Sequence, residues 1–276
     1  MKKLSNILLL FAVAIVPVRS LCAQGSATAY LGFDRNAYPG DGNLTTLHQT
    51  FSYAGYWLNN PPGEKVNSWA GHRAAVQSAG FGFLVLFNGR LYAELKSVSN
   101  ATRLGRSDAA LATAAAKREG FLQDAIIFLD QEQGGRMLPE QKAYIFAWVD
   151  GVAAAGFRAG VYCSGTAATD DGNVVTAEDI RTNAGTRNIV YWIINDGCPP
   201  APGCFLASPL NPRQSGIAFA EVWQFAQSPQ RKDVAAHCTN YSRDGNCYAP
   251  GIAAAQRMHV DLNTATSPDP SHGRTQ

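Results

Sequence analysis

The sequence predicts an α/β fold, namely a single closed (β/α)₈ barrel of the TIM type. Some of its β/α units are allowed to be irregular. Short apolar strands alternate with helical patterns, as in parallel sheets covered by helices. The strands read as nearly continuous apolar runs, and eight of them within about 250 residues match such a barrel. An open doubly wound sheet is the alternative, but the chain has neither a G-x-G-x-x-G after its first strand nor a G-x-x-x-x-G-K-[ST].

Predicted strands and helices follow one another from the N-terminus to the C-terminus. The strands are 30–34, 51–58, 81–87, 125–130, 158–164, 188–195, 221–227 and 259–263. One helix is predicted at about 64–79, and a second begins after an N-cap at Ser107. A third begins at Pro139, because proline is tolerated in the first turn, and ends at Gly156. The chain then divides into a signal peptide at 1–23, the barrel at 24–265 and a flexible tail at 266–276.

The N-terminus has the layout of a secretory signal peptide. Lys2 and Lys3 form a positive start, and residues 7–16 form an apolar run too short to span a membrane. We expect cleavage after Ala23, with Gly25 as the alternative position, and a retained anchor helix is the competing interpretation. The mature protein is therefore expected to be secreted or periplasmic.

Composition indicates a globular exported protein. Apolar residues make up 46% of the chain and charged residues 16%, which suits a substantial core. Removing residues 1–23 takes away three basic residues and no acid, which leaves 20 basic and 21 acidic residues. We find no basic patch for nucleic acid and no further apolar run for a membrane, and we expect a monomer without a cofactor.

Cysteine usage agrees with export to an oxidising compartment. The segments between Cys198 and Cys204 and between Cys238 and Cys247 are rich in Pro, Gly, Asn and Ser, as loops are. We therefore predict two local disulfide loops, each joining the two cysteines at its ends. Cys163 lies in an apolar run and is predicted to be a free buried thiol, with a catalytic thiol as the alternative.

Acidic residues that are candidates for the site belong to the first, fourth and eighth predicted strands. Asp130 and Glu132 come at the end of the fourth strand, two residues apart, and so share a face. Asp34 ends the first strand and Asp261 belongs to the eighth, which pairs with the first in a closed barrel. Because barrel enzymes place their active sites at the C-terminal ends of the strands, we expect these acids to converge at the barrel mouth.

Converging acids predict carboxylate acid/base chemistry. Neighbouring acids resist simultaneous ionisation, so at least one pKa rises. A carboxyl group that stays protonated near neutral pH can protonate a leaving oxygen, while a second carboxylate stabilises positive charge, as in glycosidases. The alternatives are incidental acids on a solvated loop and a calcium or magnesium site. The chain has no H-E-x-x-H or G-x-S-x-G, which disfavours metalloproteases and serine esterases.

Polar and aromatic residues in or beside the strand ends are candidates for substrate binding. Sugar rings stack on aromatic side chains, although most large aromatic residues fill cores. The candidates are Asp261, Tyr162, Gln224, Trp223, Asn263 and Asn195.

Five motifs follow one another within residues 28–265: GFDRN, IIFLDQE, GVYCSG, VWQFAQ and VDLN. Together they resemble the family-25 glycoside hydrolases, the lysozyme-type muramidases, and still more the bacterial glycoside-hydrolase-like domains of unknown function that share their barrel. The resemblance implies that Glu132 is the general acid. It implies that Asp130 assists the substrate's own acetamido group or stabilises the developing charge.

The same resemblance assigns roles to four further residues and to the substrate. Asp34 and Asp261 would complete an acidic floor, and Tyr162 and Gln224 would help to bind the sugar. The substrate would be a β-1,4 linkage in peptidoglycan or a related amino-sugar glycan.

The chain departs from the lysozyme pattern in three places. The segment DRNAYPG stands where lysozymes show a Ser and Gln pattern, and neither residues 90–106 nor the disulfide loops match a lysozyme cleft. A non-catalytic glycan-binding barrel is therefore the alternative function. In such a protein, Glu132 would be paired with a basic residue, or residues 90–106 would fill the cleft.

The signal peptide generates the first testable prediction. We expect the mature protein to be exported and to begin near Gln24, because a positive start, an apolar run and small residues precede that position. N-terminal sequencing of the exported form checks this. An intact Met1 on a cytoplasmic product would contradict it.

Overall fold

Eight strands close into one barrel surrounded by helices in the computed structural model, which describes residues 28–169, 172–232, 238 and 240–275. The predicted fold class is therefore confirmed. The predicted signal peptide lies outside the described residues. Within the described ranges, no helix is long and apolar enough to cross a membrane.

The strands and helices alternate along most of the chain. The strands are β1 Tyr30–Asp34, β2 Tyr53–Trp57, β3 Gly82–Asn88, β4 Ile126–Asp130, β5 Arg158–Ser164, β6 Ala167–Ala168, β7 Val174–Val175, β8 Ile189–Ile194, β9 Ala220–Ala226 and β10 Asp261–Ala265. The α-helices are α1 Asp41–His48, α2 Arg73–Ser78, α3 Tyr92–Leu95, α4 Val98–Glu119, α5 Pro139–Ala154 and α6 Thr176–Asn183. Short 3-10 helices span Pro212–Ser215 and Ala254–Gln256.

The barrel strands are the eight that the apolar runs predict, and β6 and β7 form a small separate sheet. Around the barrel the order is β1, β2, β3, β4, β5, β8, β9 and β10, and β10 closes the ring against β1. Fully buried aromatic side chains lie on both faces of the sheet. Tyr53, Phe128 and Trp192 point into the barrel, whereas Phe33 and Phe83 point outward and pack on Phe51, Phe81 and Phe121.

Strand β10 departs from the all-parallel expectation, because it runs antiparallel to both β1 and β9. Its first residue therefore lies at the mouth, where Asp261 stands opposite Asp34, the last residue of β1. An antiparallel neighbour needs no crossover helix. The described residues between β9 and β10 accordingly contain only a 3-10 helix.

Helix α5 has the predicted start and apolar face. It begins at Pro139, and Gly156, with a φ of +85°, follows its end in the left-handed conformation that favours glycine. The predicted face of α5 is buried at Ile145, Trp148, Val149 and Val152. Helix α2 is shorter than the predicted 64–79 segment, since it begins at Arg73.

Helix α4 begins nine residues before the predicted N-cap at Ser107, which lies inside the helix. The true N-cap is Ser97, whose hydroxyl accepts a hydrogen bond from the backbone N–H of Asn100 at 3.3 Å. The first turns carry small buried residues rather than large apolar ones, so their periodicity was weak. At Gly105, for example, a Cβ atom would lie 2.4 Å from the backbone oxygen of Tyr144 on α5.

Residues 90–106 belong to the outer helical layer. The guanidinium of Arg90 donates from Nε and Nη2 to Asp108 at 2.8 and 2.9 Å. The Tyr144 hydroxyl donates to the same carboxylate at 2.9 Å, and Asp108 is 2% exposed. These bonds join the segment before α3 and the middle of α4 to α5.

The C-terminal segment, expected to be a flexible tail, packs across the base of the barrel as far as it is described, at 266–275. Ser271 is fully buried and forms hydrogen bonds of 2.8 Å with three strand residues. Its N–H donates to Phe83 O. Its hydroxyl accepts from Val85 N, and its carbonyl accepts from Ile126 N. Polar residues of this segment form hydrogen bonds with backbone groups of β3 and β4. The composition of the segment alone does not predict these contacts.

The disulfides connect two loops to each other rather than closing each loop on itself. Cys198 pairs with Cys238 and Cys204 with Cys247, so the predicted local pairing is wrong. Four cysteines allow three pairings, and the order along the chain does not choose among them. Cys163 is free and buried, as predicted.

The crossed pairing generates the second prediction. Peptide mapping under non-reducing conditions should join the segment around Cys198 to that around Cys238, and Cys204 to Cys247. Because each bridge closes a loop of about 40 residues, replacing both cysteines of one bridge by alanine should lower the free energy of unfolding by about 2–4 kcal/mol. Peptides showing the two local loops would overturn the assignment.

Candidate active site

A cavity of about 420 Å³ opens at the mouth of the barrel. Six of the predicted site residues line it: Asp34, Asp130, Glu132, Tyr162, Gln224 and Asp261. Larger cavities of about 660 and 770 Å³ lie elsewhere, one near the N-terminal ends of β4, β5 and β8 and one beside a disulfide loop. Neither holds a predicted site residue, so the smaller cavity is the candidate site.

One amide, Gln224 on β9, joins three of the cavity residues. Its Nε2 donates to Asp34 Oδ1 at 3.0 Å and lies 3.5 Å from Asp261 Oδ2. Its Oε1 accepts from the Tyr162 hydroxyl at 2.8 Å. Because the amide donates to carboxylates on one side and accepts from a phenol on the other, its orientation is fixed.

A second amide supports Asp34 from below. Asn263 on β10 donates Nδ2 to Asp34 Oδ1 at 2.6 Å, and its Oδ1 accepts from Trp192 Nε1 at 2.9 Å. Asp34 is 5% exposed, and burial raises its pKa to about 6 although the hydrogen bonds from Asn263 and Gln224 oppose the rise.

Asp130, the last residue of β4, is the least satisfied acid of the cavity. It is 5% exposed, and its Oδ1 is buried without a hydrogen-bond partner among the described residues. Burial raises its pKa well above the usual range, and the charges of Glu132 and Asp34 raise it further. A donor on a bound ligand would satisfy the open oxygen.

Glu132 stands just beyond β4 at the entrance to the cavity. The loop is held on both sides of it: Gln131 N donates to Tyr162 O at 3.1 Å, and Gln133 Oε1 accepts from Tyr92 N at 2.6 Å. Its side chain is reached by solvent, yet the surrounding protein atoms desolvate it enough to raise its pKa. Among the described residues it makes no ion pair, and residues 90–106 do not line the cavity.

Asp261, the first residue of β10, completes the group of four acids. Its Oδ1 accepts a hydrogen bond from Ser228 N at 2.6 Å. Burial and the neighbouring charge of Asp34 raise its pKa well above the usual range. All four acids therefore have raised pKa values, which is the condition under which carboxyl groups remain protonated towards neutral pH.

Three predicted binding residues do not line this cavity. Asn263 lies beneath it as a support for Asp34. Trp223 is fully buried and donates Nε1 to the carbonyl of Asn195 at 2.8 Å, while the Asn195 side chain donates to Ser215 O at 2.7 Å. Alternation explains the placement of Trp223, because the neighbouring Gln224 points into the barrel.

Other residues of the lining were not selected as site residues. They include Arg35, Trp57, Glu64, Trp192, Gln227 and His259. Arg35 directly follows Asp34 and could have been selected on that ground. Trp57 and Trp192 are aromatic residues at strand ends, a pattern that also fits core residues. Glu64, Gln227 and His259 lie on loops, where the sequence carries no signal for the site.

The divalent-cation alternative has no support from the geometry of the described residues. Within those ranges, no group of three or more His, Cys, Asp and Glu side chains is placed to hold a metal ion.

Asp34 generates a prediction about pH and stability. A buried acid with a raised pKa favours the folded state while it is neutral, so this stability is complete below pH 4 and is lost as pH rises through about 6. The loss amounts to roughly 3 kcal/mol. Asp34→Asn keeps an acceptor oxygen for Gln224 and Asn263, so its stability relative to wild type should increase from pH 4 to pH 7.

Thermal unfolding across this pH range measures the difference. Asp124→Asn, at an exposed position outside the cavity, controls for the loss of one carboxylate. A constant difference between Asp34→Asn and wild type at all pH values would show that Asp34 does not titrate as described.

Comparisons with known proteins agree with this picture. Residues 67–199 match the family model described as "Rv2525c-like, glycoside hydrolase-like domain". This range includes Asp130, Glu132 and Tyr162, while the other three cavity residues named above lie outside it. No curated protein matches the chain in sequence.

Three solved structures share the fold. An uncharacterized protein of B. stearothermophilus is 19% identical, with a TM-score of 0.54 and coverage of 86% of this chain and 95% of that one. A glycosyl hydrolase 25 of Streptococcus pneumoniae, described as a virulence factor participating in host cell invasion, is 14% identical, with a TM-score of 0.53 and coverage of 85% and 86%. The catalytic domain of endolysin ply40 from bacteriophage P40 of Listeria monocytogenes is 15% identical, with a TM-score of 0.51 and coverage of 91% and 100%.

At these identities the structural likeness concerns the fold. The resemblance that the five motifs indicate is confirmed: over residues 67–199 the chain matches the Rv2525c-like glycoside hydrolase-like domain, on a barrel similar to that of a glycosyl hydrolase 25.

Proposed function

We propose that this protein is a secreted glycoside hydrolase that cleaves amino-sugar glycans of the cell wall, peptidoglycan or a related polymer, by carboxylate acid/base catalysis. The observation that carries the proposal is Glu132, an exposed acid with a raised pKa that has no ion-pair partner among the described residues and stands beside three buried acids. Burial of the other three acids leaves Glu132 as the one that can reach a glycosidic oxygen.

Glu132 acts as the general acid. Its raised pKa lets it carry a proton towards neutral pH, and it gives this proton to the leaving oxygen as the C–O bond breaks. The resulting carboxylate then takes a proton from the water that attacks the anomeric carbon. The flanking bonds of Gln131 and Gln133 hold the loop in place for both steps.

Asp130 assists the sugar's own acetamido group. Its Oδ1, which has no partner among the described residues, is suited to accept a hydrogen bond from the acetamide N–H, which directs the acetamide oxygen towards the anomeric carbon. Positive charge developing on the sugar lowers the pKa of Asp130, which favours the carboxylate form that stabilises that charge.

The remaining cavity residues position the sugar and keep the acids apart. Gln224 separates Asp34 from Asp261, and Tyr162 is aligned by its hydrogen bond to Gln224. Trp192, whose ring lies 4.3 Å from that of Tyr162, packs beneath the cavity and supports the Tyr162 ring.

The comparisons and the disulfides support the substrate and the location. A glycosyl hydrolase 25 and an endolysin catalytic domain share the fold, which favours a cell-wall glycan over other polysaccharides. Two disulfides favour an oxidising compartment, in agreement with the predicted signal peptide.

A non-catalytic glycan-binding barrel is the alternative function. Such a protein could have Glu132 paired with a basic residue, or its cleft filled by residues 90–106. In the described part of the chain Glu132 has no such partner, and residues 90–106 are held on the outer layer by the Arg90 and Asp108 contact. These two observations favour catalysis.

Glu132→Gln should lower hydrolysis by about 10²–10⁴ and leave the melting temperature unchanged or higher, because the amide keeps the shape but cannot donate the catalytic proton. Asp130→Asn should also be severely impaired.

In the wild type, kcat/KM should fall as pH rises through the raised pKa of Glu132, since the acid must be protonated. Digestion of purified peptidoglycan and chitin-type oligosaccharides with the mature protein, followed by mass analysis, gives the measurement.

Glu140→Gln on helix α5 is the matched control, because it makes the same chemical change away from the cavity. Wild-type hydrolysis by Glu132→Gln would refute the general-acid role. A wild-type protein that binds an amino-sugar glycan but cleaves none would establish the binding function instead.

A further inference from the structure

We propose that Arg35 forms a carboxylate-binding subsite within the cavity, so that the preferred glycan carries a carboxylate close to the bond that is cleaved. The inference rests on the proposed function, since it assigns a substrate class to the same cavity. It makes Arg35 a specificity-determining residue.

The backbone of Arg35 is firmly held at the rim. Its carbonyl accepts hydrogen bonds from the indole Nε1 atoms of Trp57 and Trp69, both at 3.2 Å. Trp57 is itself part of the cavity lining, and Trp69 is fully buried behind it. The side chain therefore starts from a fixed position and lines the cavity.

The Arg35 guanidinium has no protein partner among the described residues. Its Nε is buried without a hydrogen bond, and burial lowers its pKa. Other arginines of this chain are paired differently: Arg90 and Arg187 each bind one carboxylate through two nitrogens, on Asp108 and Asp150. A partly buried guanidinium remains charged, so the missing anion is the unusual feature.

The acids of the cavity do not supply that anion. The hydrogen bonds of Asp34 and Asp261 go to amides and to a backbone N–H. Glu64, the other acid of the lining, is exposed, and no described contact joins it to Arg35. The raised pKa values keep the buried acids partly protonated towards neutral pH. They therefore repel an incoming carboxylate less than fully ionised acids would.

The chemistry of the guanidinium selects the ligand. Its planar fork matches two carboxylate oxygens and forms charge-assisted hydrogen bonds that a neutral sugar cannot replace. The carboxylate has two sources on an amino-sugar glycan: an acid on the sugar itself, such as an ether-linked lactyl group, or the acid of an attached peptide. A neutral glycan would leave Arg35 desolvated and unpaired.

Binding measurements in the Glu132→Gln background test this without turnover. The ligands are peptide-free peptidoglycan strands with free lactyl carboxylates, the same strands converted to methylamides, strands that carry stem peptides, and chitin oligosaccharides. By titration calorimetry, the free-carboxylate or peptide-bearing strands should bind roughly 10- to 100-fold more tightly than the methylamides. The stronger of these two acidic ligands identifies the source.

Adding Arg35→Met should reduce the ratio of acid to amide affinity to near one, and Arg35→Lys should restore part of it. Arg106→Met, at an exposed position on α4, is the matched control and should keep the full ratio. Circular dichroism and melting temperature confirm that each variant folds.

Equal affinity for acid and amide strands, or no binding of acid strands, would overturn the inference. Hydrolysis of acid and amide strands at equal rates by the wild type would leave the proposed function standing and remove only the role of Arg35. A wild-type protein that hydrolyses none of these strands, while the ratio of acid to amide affinity is retained, would refute the proposed function and leave the role of Arg35 standing.

Discussion

The antiparallel pairing of β10 with β1 determines where the acids of this barrel meet. In a parallel ring, the first residue of the last strand would lie at the base, far from the mouth. Reversal brings Asp261 opposite Asp34 and places Asn263 one step deeper, directly beneath Asp34. The two acids and their amide support thus come from two adjacent strands, and the rest of the cavity is arranged around them.

The amides explain how four acids are accommodated in so small a space. Gln224 and Asn263 donate to Asp34, and Ser228 N donates to Asp261, so the charged forms are partly stabilised. Burial and mutual repulsion outweigh these bonds, since the pKa of Asp34 is still raised. Protons are therefore held within the group, and the acid nearest to solvent, Glu132, can exchange them with a substrate.

The sequence was informative where one strand carries its own signal and uninformative where distant segments meet. The apolar runs located all eight barrel strands, and Asp130 and Glu132 stood out because a buried strand ends there. The direction of β10 and the crossed pairing of Cys198 depend on contacts that no local pattern records. Trp223 was selected by its residue type, although alternation in β9 already assigns it to the face opposite Gln224.

The packing of Ser271 against β3 and β4 has a consequence for the order of folding. The hydroxyl bond to Val85 joins residues that are 186 positions apart in the sequence. Contacts of this separation form late and slow the search for the native state. The base of the barrel is therefore sealed only once residues 266–275 have been synthesised and have reached β3 and β4. A truncated chain would leave the N–H groups of Phe83 and Val85 without partners and expose a strand edge to aggregation.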